Sequence, residues 1–273
     1  MFWKRLLSGA VLLVLAVGTF YVGGIPLLVL LGLASAIAFR ELTKALKCAT
    51  DDKKWNGLEC LGILGVIIYY VLLGWMTDAT TLLLAIVGML MSLMFVYVVA
   101  FPKYRCEQIA AAFMSFFYAP VLLSFVYLTR DAQNGFYLVW MILISSWGSD
   151  TCAYVIGMLF GKKKVFPVLS PKKSLEGCIG GVLGCAGLGW LYGRFFLETY
   201  AGYENAAWAV AVICAGGAVM SMIGDLAASA IKRNQEIKDY GKLIPGHGGV
   251  MDRFDSMVAT APMVYLLALL TLV

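Results

Sequence analysis

Long apolar stretches separated by short polar breaks run through the whole chain. Nine of them are long enough to cross a bilayer, which requires about 20 predominantly apolar residues in a helix. They lie near residues 5–22, 25–46, 57–75, 79–100, 107–128, 135–160, 175–196, 205–231 and 250–273. This pattern predicts an all-α fold, a polytopic membrane helical bundle with about nine transmembrane helices. Because the stretches occupy most of the chain, we expect residues 1–273 to form a single integral membrane domain.

The first stretch also resembles a secretory signal, since Lys4 and Arg5 precede an apolar run. It lacks a cleavage site of the Ala-x-Ala type, and eight further apolar stretches follow it. We therefore expect an uncleaved first span.

The composition excludes several classes of protein. Hydrophobic residues make up 62% of the chain and charged residues 14%, whereas water-soluble domains have roughly 45–50% and about 25%. A soluble enzyme, a disordered chain and a secreted disulfide scaffold are therefore excluded. The chain has one histidine and seven cysteines without a Cys-x-x-Cys pair, so a zinc cluster is excluded as well. We interpret the cysteines as small packing residues: Cys48, Cys60, Cys106, Cys152, Cys178, Cys185 and Cys214.

The net charge of +5 follows from the topology of the chain. Basic residues cluster at alternate ends of the spans, and only Arg130 and Arg194 fall on the other side. Since loops rich in lysine and arginine stay cytoplasmic, we expect a cytoplasmic N-terminus and an external C-terminus. The charge is then an orientation signal, and nucleic acid is excluded as a partner. The remaining basic residues concentrate in two predicted cytoplasmic loops, 161–174 and 232–249.

The seventh stretch carries glycines four residues apart. The Gly-x-x-x-Gly pairs are Gly177/Gly181, Gly180/Gly184 and Gly189/Gly193. Such pairs let neighbouring helix backbones approach closely, so helix packing explains them. Because these faces exceed what one bundle requires, a homodimer is a further expectation.

Ionisable residues inside apolar spans are costly, and each is therefore a candidate for function. Arg40 and Glu41 lie toward the inner end of span two, Asp150 lies in span six and Asp225 in span eight. Arg40 and Glu41 are adjacent and should point apart, so each could instead have a structural partner. Asp150 alone could likewise be a buried, hydrogen-bonded carboxyl.

Polar residues also recur at helical spacing around the last loop. Asp225, Ser229, Lys232 and Arg233 share one face of span eight because they lie three, four or seven residues apart. At the start of span nine, Asp252 and Asp255 are three residues apart, with Arg253 beside Asp252. Carboxylates placed in this way suit a hard divalent cation such as magnesium.

Each basic loop enters a helix in a way that suits anions. The loop at 232–249 ends in Pro-Gly-His-Gly-Gly, whose glycines would let backbone amides approach a ligand, and basic side chains surround it. In the other loop, Ser170 or Ser174 is placed to cap span seven, and Lys172 and Lys173 would meet anionic groups there. Together the acids and loops predict a site at the cytoplasmic membrane surface for phosphoryl or nucleotidyl transfer onto a lipid.

The stretch from Ser229 to Ser256, SAIKRNQEIKDYGKLIPGHGGVMDRFDS, closely resembles the signature of the phosphatidate cytidylyltransferases, also called CDP-diacylglycerol synthases. The serine, the Lys-Arg and Lys-Asp pairs, the Pro-Gly-His-Gly-Gly turn and Asp-Arg-x-Asp are all present across 28 positions. The segments SPKKSLEG and SDTCAYVIG resemble companion motifs of the family. Residues 1–130 are generic spans, so we expect residues 131–273 to carry the catalytic site.

The resemblance implies that CTP and phosphatidic acid react to CDP-diacylglycerol and pyrophosphate with Mg²⁺ as cofactor. It implies a multi-pass protein of the cell (inner) membrane with its active site facing the cytoplasm. Asp225 and Asp252 would bind the metal, and Asp150 matches a further acid near the site. The implied catalytic set is Asp225, Asp252, Asp255, Lys232 and Arg233. The implied substrate-binding set is Lys172, Lys173, Ser174, Ser229, Lys238, His247, Gly248, Gly249 and Arg253.

Two other classes of function compete with this interpretation. A polyprenol or phytol kinase, or an archaeal-type synthase with an isoprenoid substrate, is a similar CTP-using membrane enzyme. An ion-coupled transporter would use Asp150 and Asp225 as proton or cation sites. Against the transporter, the acids lie toward one membrane face and the loops favour anions.

Overall fold

The computed structural model describes residues 2–48, 55–244, 246 and 248–272, without the side chains of residues 2–8 and 12. The described residues form nine helices joined by short connections. The first four are α1 (Phe2–Val22), α2 (Gly24–Ala45), α3 (Gly57–Trp75) and α4 (Ala79–Val99). The others are α5 (Cys106–Asp131), α6 (Gly135–Phe160), α7 (Leu175–Ala201), α8 (Ala206–Asn234) and α9 (Met251–Thr271). We call residues 235–250, between α8 and α9, the signature loop.

These helices coincide closely with the predicted spans. Among the described residues, the eight helices α2 to α9 are long and apolar enough to cross a membrane. Helix α1 contributes a shorter described apolar segment, Gly9–Val22. The prediction of a polytopic all-α membrane protein is therefore confirmed, while the count of nine spans and the orientation of the termini stay predictions.

Three helices contain a π-helical segment. These segments are Phe117–Val121 in α5, Ile144–Gly148 in α6 and Gly193–Ala201 in α7. The segment in α5 contains Pro120, which has no backbone N–H to donate, so the regular helical pattern is interrupted there. In α6 the π-helical segment ends two residues before Asp150, and it therefore sets the rotation of the helix on which this acid lies.

The basic loop at 161–174 contains a small β-hairpin that the apolar pattern did not predict. Strands β1 (Lys164–Phe166) and β2 (Ser170–Ser174) pair antiparallel, with Lys164 opposite Ser174. Pro167 and Pro171 explain the extended backbone, because proline disfavours a helical conformation in the residue before it. The hairpin gives Lys172 and Lys173 a defined direction.

The chain divides into two compact units. The first comprises residues 1–124 and 235–253. In its core the Tyr70 hydroxyl donates to the Pro120 carbonyl at 3.2 Å and lies 2.7 Å from Ser35 Oγ. Tyr69, which is fully buried, lies 3.0 Å from Ser124 Oγ and edge-on to Phe116. These contacts satisfy polar groups that no water reaches and hold α3 against the irregular turn of α5.

The second unit comprises residues 125–234 and 254–273, and close helix packing dominates it. Gly180 and Gly184 of α7 face side chains of α6, and Gly189 and Gly193 face α8. A Cβ at Gly180 would lie 2.5–2.7 Å from three side-chain atoms of Ile156. The packing role predicted for these glycines is confirmed, whereas the homodimer stays a prediction.

The cysteines in the described residues are all free. Cys48, Cys185 and Cys214 are buried. Burial, together with the nearby Glu59 carboxylate, raises the pKa of Cys48 to about 12, so its thiol stays protonated at neutral pH. For these three cysteines the burial agrees with the predicted packing role.

Replacing Gly180 by alanine should destabilise the protein, whereas the same change at Gly187 should not. Both glycines lie on α7, but a Cβ at Gly187 would meet nothing within 4 Å. Overpacking against Ile156 should cost about 1–3 kcal/mol, while alanine at an open helical site stabilises by up to about 1 kcal/mol. Thermal unfolding of purified protein in detergent measures the difference. Equal midpoints for Gly180→Ala and Gly187→Ala would contradict the packing assignment.

Candidate active site

The predicted site residues fall in both units. The first unit contains Lys238, Gly248, Gly249, Asp252 and Arg253. The second unit contains Asp150, Lys172, Lys173, Ser174, Asp225, Ser229, Lys232, Arg233 and Asp255. His247 lies outside the described residues.

An ion pair lies at the centre of the second unit's part of the site. Lys173 Nζ, on β2, lies 2.5 Å from Asp225 Oδ2, on α8, and the two side chains are 21% and 29% exposed. The buried Nζ has no aligned hydrogen bond to any acceptor in the described part of the chain. Asp150 of α6 interacts electrostatically with both residues of this pair. One ammonium thus interacts with two carboxylates that would otherwise repel each other.

Asp150 and Lys173 line a cavity of about 450 Å³ between α6, α7, α8 and the hairpin. Its charged lining residues are Asp150, Lys164, Lys172 and Lys173. Its lining also includes Ala153, Tyr154, Met158, Cys178 and Met222. The volume is within the range of about 300–1,000 Å³ that is typical of ligand pockets. A lining that combines basic and apolar side chains suits a molecule that has an anionic head and an apolar body.

The basic loop at 161–174 is held against the start of α7. Ser174 is buried, and its Oγ accepts a hydrogen bond from the Gly177 backbone N–H at 3.2 Å. Of the two predicted capping serines, Ser174 is therefore the one that caps α7. Glu176, in the first turn of α7, accepts from the Lys162 backbone N–H at 3.0 Å. These contacts hold the hairpin that presents Lys172 and Lys173 at the cavity.

The polar stripe on α8 follows the predicted helical spacing, since α8 continues to Asn234. Ser229 and Lys232 are half-buried, and Arg233 is exposed in the last turn. Basic side chains there also suit the negative end of the helix dipole. Helices α8 and α9 approach closely at Gly224, where a Cβ would lie 2.6 Å from the Asp255 carbonyl oxygen. The Asp255 side chain accepts from the Ser256 backbone N–H at 2.8 Å.

In the first unit, Asp252 organises the signature loop. Its Oδ2 accepts from the backbone N–H groups of Tyr240 and Gly249 at 2.8 and 3.0 Å. The glycine-rich turn predicts backbone amides that face a ligand, whereas in the structure the Gly249 amide faces Asp252. Gly248 has φ +86°, a conformation that favours glycine, and a Cβ there would lie 2.9 Å from Asp252 Oδ2. Lys238 and Arg253 are exposed.

Sequence reasoning missed the partner of Glu41. This buried carboxylate accepts from the backbone N–H groups of Val250 and Met251, at 3.1 and 2.8 Å, where α9 begins. The guanidinium of Arg40 lies 3.9 Å from the ring centre of Trp55. The two neighbours therefore point apart, as expected, to different partners. The only signal in the sequence was an acid in an apolar span, which did not indicate a contact more than 200 residues away.

Two neighbouring carboxylates of the second unit fit magnesium. Asp150 and Asp225 offer carboxylate oxygens, and magnesium is commonly bound by one or two carboxylates together with substrate phosphates. Among the described residues, no group of three or more His, Cys, Asp or Glu side chains is gathered in a way that could hold a metal ion.

Comparison with known proteins gives the family. The family model described as "Cytidylyltransferase family" matches residues 3–271. The chain belongs to the cytidylyltransferase family. A phosphatidate cytidylyltransferase of Staphylococcus saprophyticus is 30% identical to this cytidylyltransferase over 272 residues, 96% of this chain and 97% of the relative.

Two other relatives match over shorter regions. A phosphatidate cytidylyltransferase of Haemophilus influenzae is 39% identical over 134 residues, 49% of this chain and 46% of the relative. One of Staphylococcus haemolyticus is 33% identical over 165 residues, 60% and 62% of the two chains. The predicted family is confirmed, and so is the prediction that the protein is a nucleotidyltransferase enzyme of the membrane.

Removing the lysine of the ion pair should destabilise this cytidylyltransferase. Lys173→Met removes the ammonium that interacts with the carboxylates of Asp225 and Asp150. Because the pair is partly exposed, the expected loss lies between that of a buried and a surface pair, about 1–3 kcal/mol.

The matched control is Lys172→Met, since Lys172 is an exposed neighbour on the same strand. This change should cost less than about 0.5 kcal/mol. The comparison uses thermal unfolding midpoints in detergent at low ionic strength. A loss for Lys173→Met no larger than for the control would show that the ion pair does not stabilise the fold.

Proposed function

We propose that this enzyme transfers the cytidylyl group of CTP to the phosphate of phosphatidic acid, giving CDP-diacylglycerol and pyrophosphate. The observation that carries the proposal is the cavity lined by three lysines, one acid and several apolar side chains. Three of the elements around it are helices that are apolar enough to cross a membrane. An anionic lipid could therefore keep its acyl chains in the bilayer while its phosphate reaches the lysines. The names of the similar bacterial proteins support the same pair of substrates.

In the proposed reaction, an oxygen of the lipid phosphate attacks the α-phosphorus of CTP. A bond forms between that oxygen and the α-phosphorus, and the bond to the β-phosphate oxygen breaks, so pyrophosphate leaves with its electron pair. A phosphate monoester has a second pKa near about 6, so the lipid phosphate is largely a dianion at neutral pH. The reaction therefore requires no strong general base.

The protein's task is to bring two anions together. Lys172 and Lys173 line the cavity, and their positive charges would reduce this repulsion. Since Lys173 already contacts Asp225, we propose that substrate phosphate draws the ammonium partly away from this carboxylate. The carboxylate oxygens would then be available as ligands.

We propose that Asp225, with Asp150 nearby, holds magnesium in the second unit, and that Asp252 serves as a further metal-binding acid. The bound ion would neutralise charge on the transferred and leaving phosphates. Four further residues would stabilise the site where α8 ends and α9 begins: Ser229, Lys232, Arg233 and Asp255. Lys238, His247, Gly248, Gly249 and Arg253 would order the signature loop or contact phosphate. The proposed site faces the cytoplasm from the cell membrane, following the basic loops.

The direct test uses purified protein in detergent with phosphatidic acid, magnesium and CTP labelled separately in the α- and γ-phosphates. Nucleotidyl transfer places the α-label in the lipid product and the γ-label in pyrophosphate. Transfer of the γ-label to lipid would identify a kinase instead. If neither label reached phosphatidic acid or an isoprenoid acceptor, the proposed reaction would be wrong.

Asp225→Asn should lower the rate of CDP-diacylglycerol synthesis by about 100-fold or more, because a neutral amide is a poor magnesium ligand and a poor partner for Lys173. The matched control is Asp78→Asn at the exposed N-terminus of α4, where Asp78 accepts from the Thr81 backbone N–H. Asparagine caps a helix as well as aspartate does, so this control should keep its rate. Turnover of Asp225→Asn within threefold of the control, at limiting magnesium, would remove Asp225 from the metal site.

A further inference from the structure

Glu41 makes a long-range contact that ties the signature loop to α2. One carboxylate oxygen accepts from the Val250 backbone N–H at 3.1 Å and the other from the Met251 N–H at 2.8 Å. The side chain is 8% exposed. Its partners lie 209 and 210 residues further along the chain. One buried side chain therefore joins two segments that lie more than 200 residues apart in the chain.

The chemistry at this point favours a carboxylate. Helix α9 begins at Met251, and the first backbone N–H groups of a helix have no partner within the helix. Their partial positive charge, together with the helix dipole, stabilises a negative group. A carboxylate can accept both N–H groups at once in charge-assisted hydrogen bonds. A neutral amide side chain can accept with only one of its two polar atoms.

The backbone of the signature loop folds tightly around this carboxylate. A Cβ at Gly249 would lie 2.5 Å from both Glu41 oxygens, and a Cβ at Gly241 would also collide with Glu41. Glycine at these two positions therefore makes room for the side chain. The loop is shaped around Glu41 from two sides, and the contact is more than an end-cap of α9.

The same segment holds the carboxylate of Asp252. Asp252 accepts from the backbone N–H groups of Tyr240 and Gly249, and Glu41 accepts from the next two, those of Val250 and Met251. Three consecutive amides are thus divided between two carboxylates. Any movement of residues 249–251 away from Glu41 would move Asp252 as well, because Asp252 is bonded to this segment and follows it directly.

We infer that Glu41 is a positioning residue, which holds residues 249–251 so that Asp252 has the orientation required for nucleotidyl transfer. The inference rests on the proposed function insofar as Asp252 takes part in that reaction. Glu41 itself touches no substrate in this account. Its effect on catalysis passes through the backbone of the signature loop.

The test compares Glu41→Gln with a matched control, Glu59→Gln. Glu59 is a second buried carboxylate of the first unit, at the N-terminus of α3, where it accepts from the Asn56 backbone N–H at 3.2 Å. Both changes remove one buried charge at a helix N-terminus, but only Glu41 contacts the signature loop. A third variant, Glu41→Asp, keeps the charge and shortens the side chain by one methylene.

The first readout is hydrogen exchange without substrates, measured by mass spectrometry in peptides that contain Val250 and Met251. Glu41→Gln should speed exchange there by about tenfold, the equivalent of one lost hydrogen bond of roughly 1.4 kcal/mol. Glu59→Gln should leave the exchange rate of these peptides unchanged. The rate in Glu41→Asp should lie between the rates of the wild type and of Glu41→Gln. Unchanged exchange in both Glu41 variants would overturn the anchoring of the loop.

The second readout is steady-state synthesis of CDP-diacylglycerol. Misplacement of a catalytic group by about 1 Å can cost on the order of 100-fold in rate, so kcat should fall about 10- to 100-fold in Glu41→Gln, with KM for CTP changed less than threefold. The control should keep its kcat. Faster exchange with unchanged kcat would reduce Glu41 to a structural role. If the wild-type enzyme makes no CDP-diacylglycerol, the proposed function fails, while the exchange readout still decides whether Glu41 holds the loop.

Discussion

An ionised side chain inside an apolar helix must be compensated by the protein itself, because lipid and packed side chains do not solvate it. The arrangement of the candidate site depends on how that requirement is met. Glu41 is compensated by two backbone N–H groups at the start of α9. Asp225 is compensated by Lys173, which approaches from a hairpin outside the helices. Each solution ties a distant part of the chain to a span.

The two forms of compensation differ in how easily they can be exchanged. Backbone amides at a helix N-terminus have a fixed direction as long as the helix is folded, so the groups that bind Glu41 cannot turn toward another partner. A lysine side chain is flexible and can pair with an incoming phosphate instead of a carboxylate. The contact in the first unit and the ion pair in the second therefore suit different tasks. In the proposed mechanism the Glu41 contact preserves geometry, and the ion pair responds to substrate.

Small residues provide the space that these charges require. Gly241 and Gly249 clear room around Glu41, and Gly157, Gly161 and Gly177 surround the Oγ of Ser174. Along α7, other glycines let its backbone approach α6 and α8. Glycine is unfavourable within helices, but at these positions a Cβ would exclude a neighbour. The polar contacts and the close packing are therefore parts of the same arrangement.

The sequence by itself determined the membrane fold, the approximate bounds of the helices, the role of the α7 glycines and the family. These features depend on local periodicity, composition and contiguous motifs, which the order of residues expresses directly. Only the tertiary structure decided that Lys173 pairs with Asp225, that Ser174 caps α7 and that the Gly249 amide faces Asp252. It alone joined Glu41 to Met251, because the partner of a buried charge depends on which chain segments meet in space, and sequence spacing carries no record of a contact 210 residues apart.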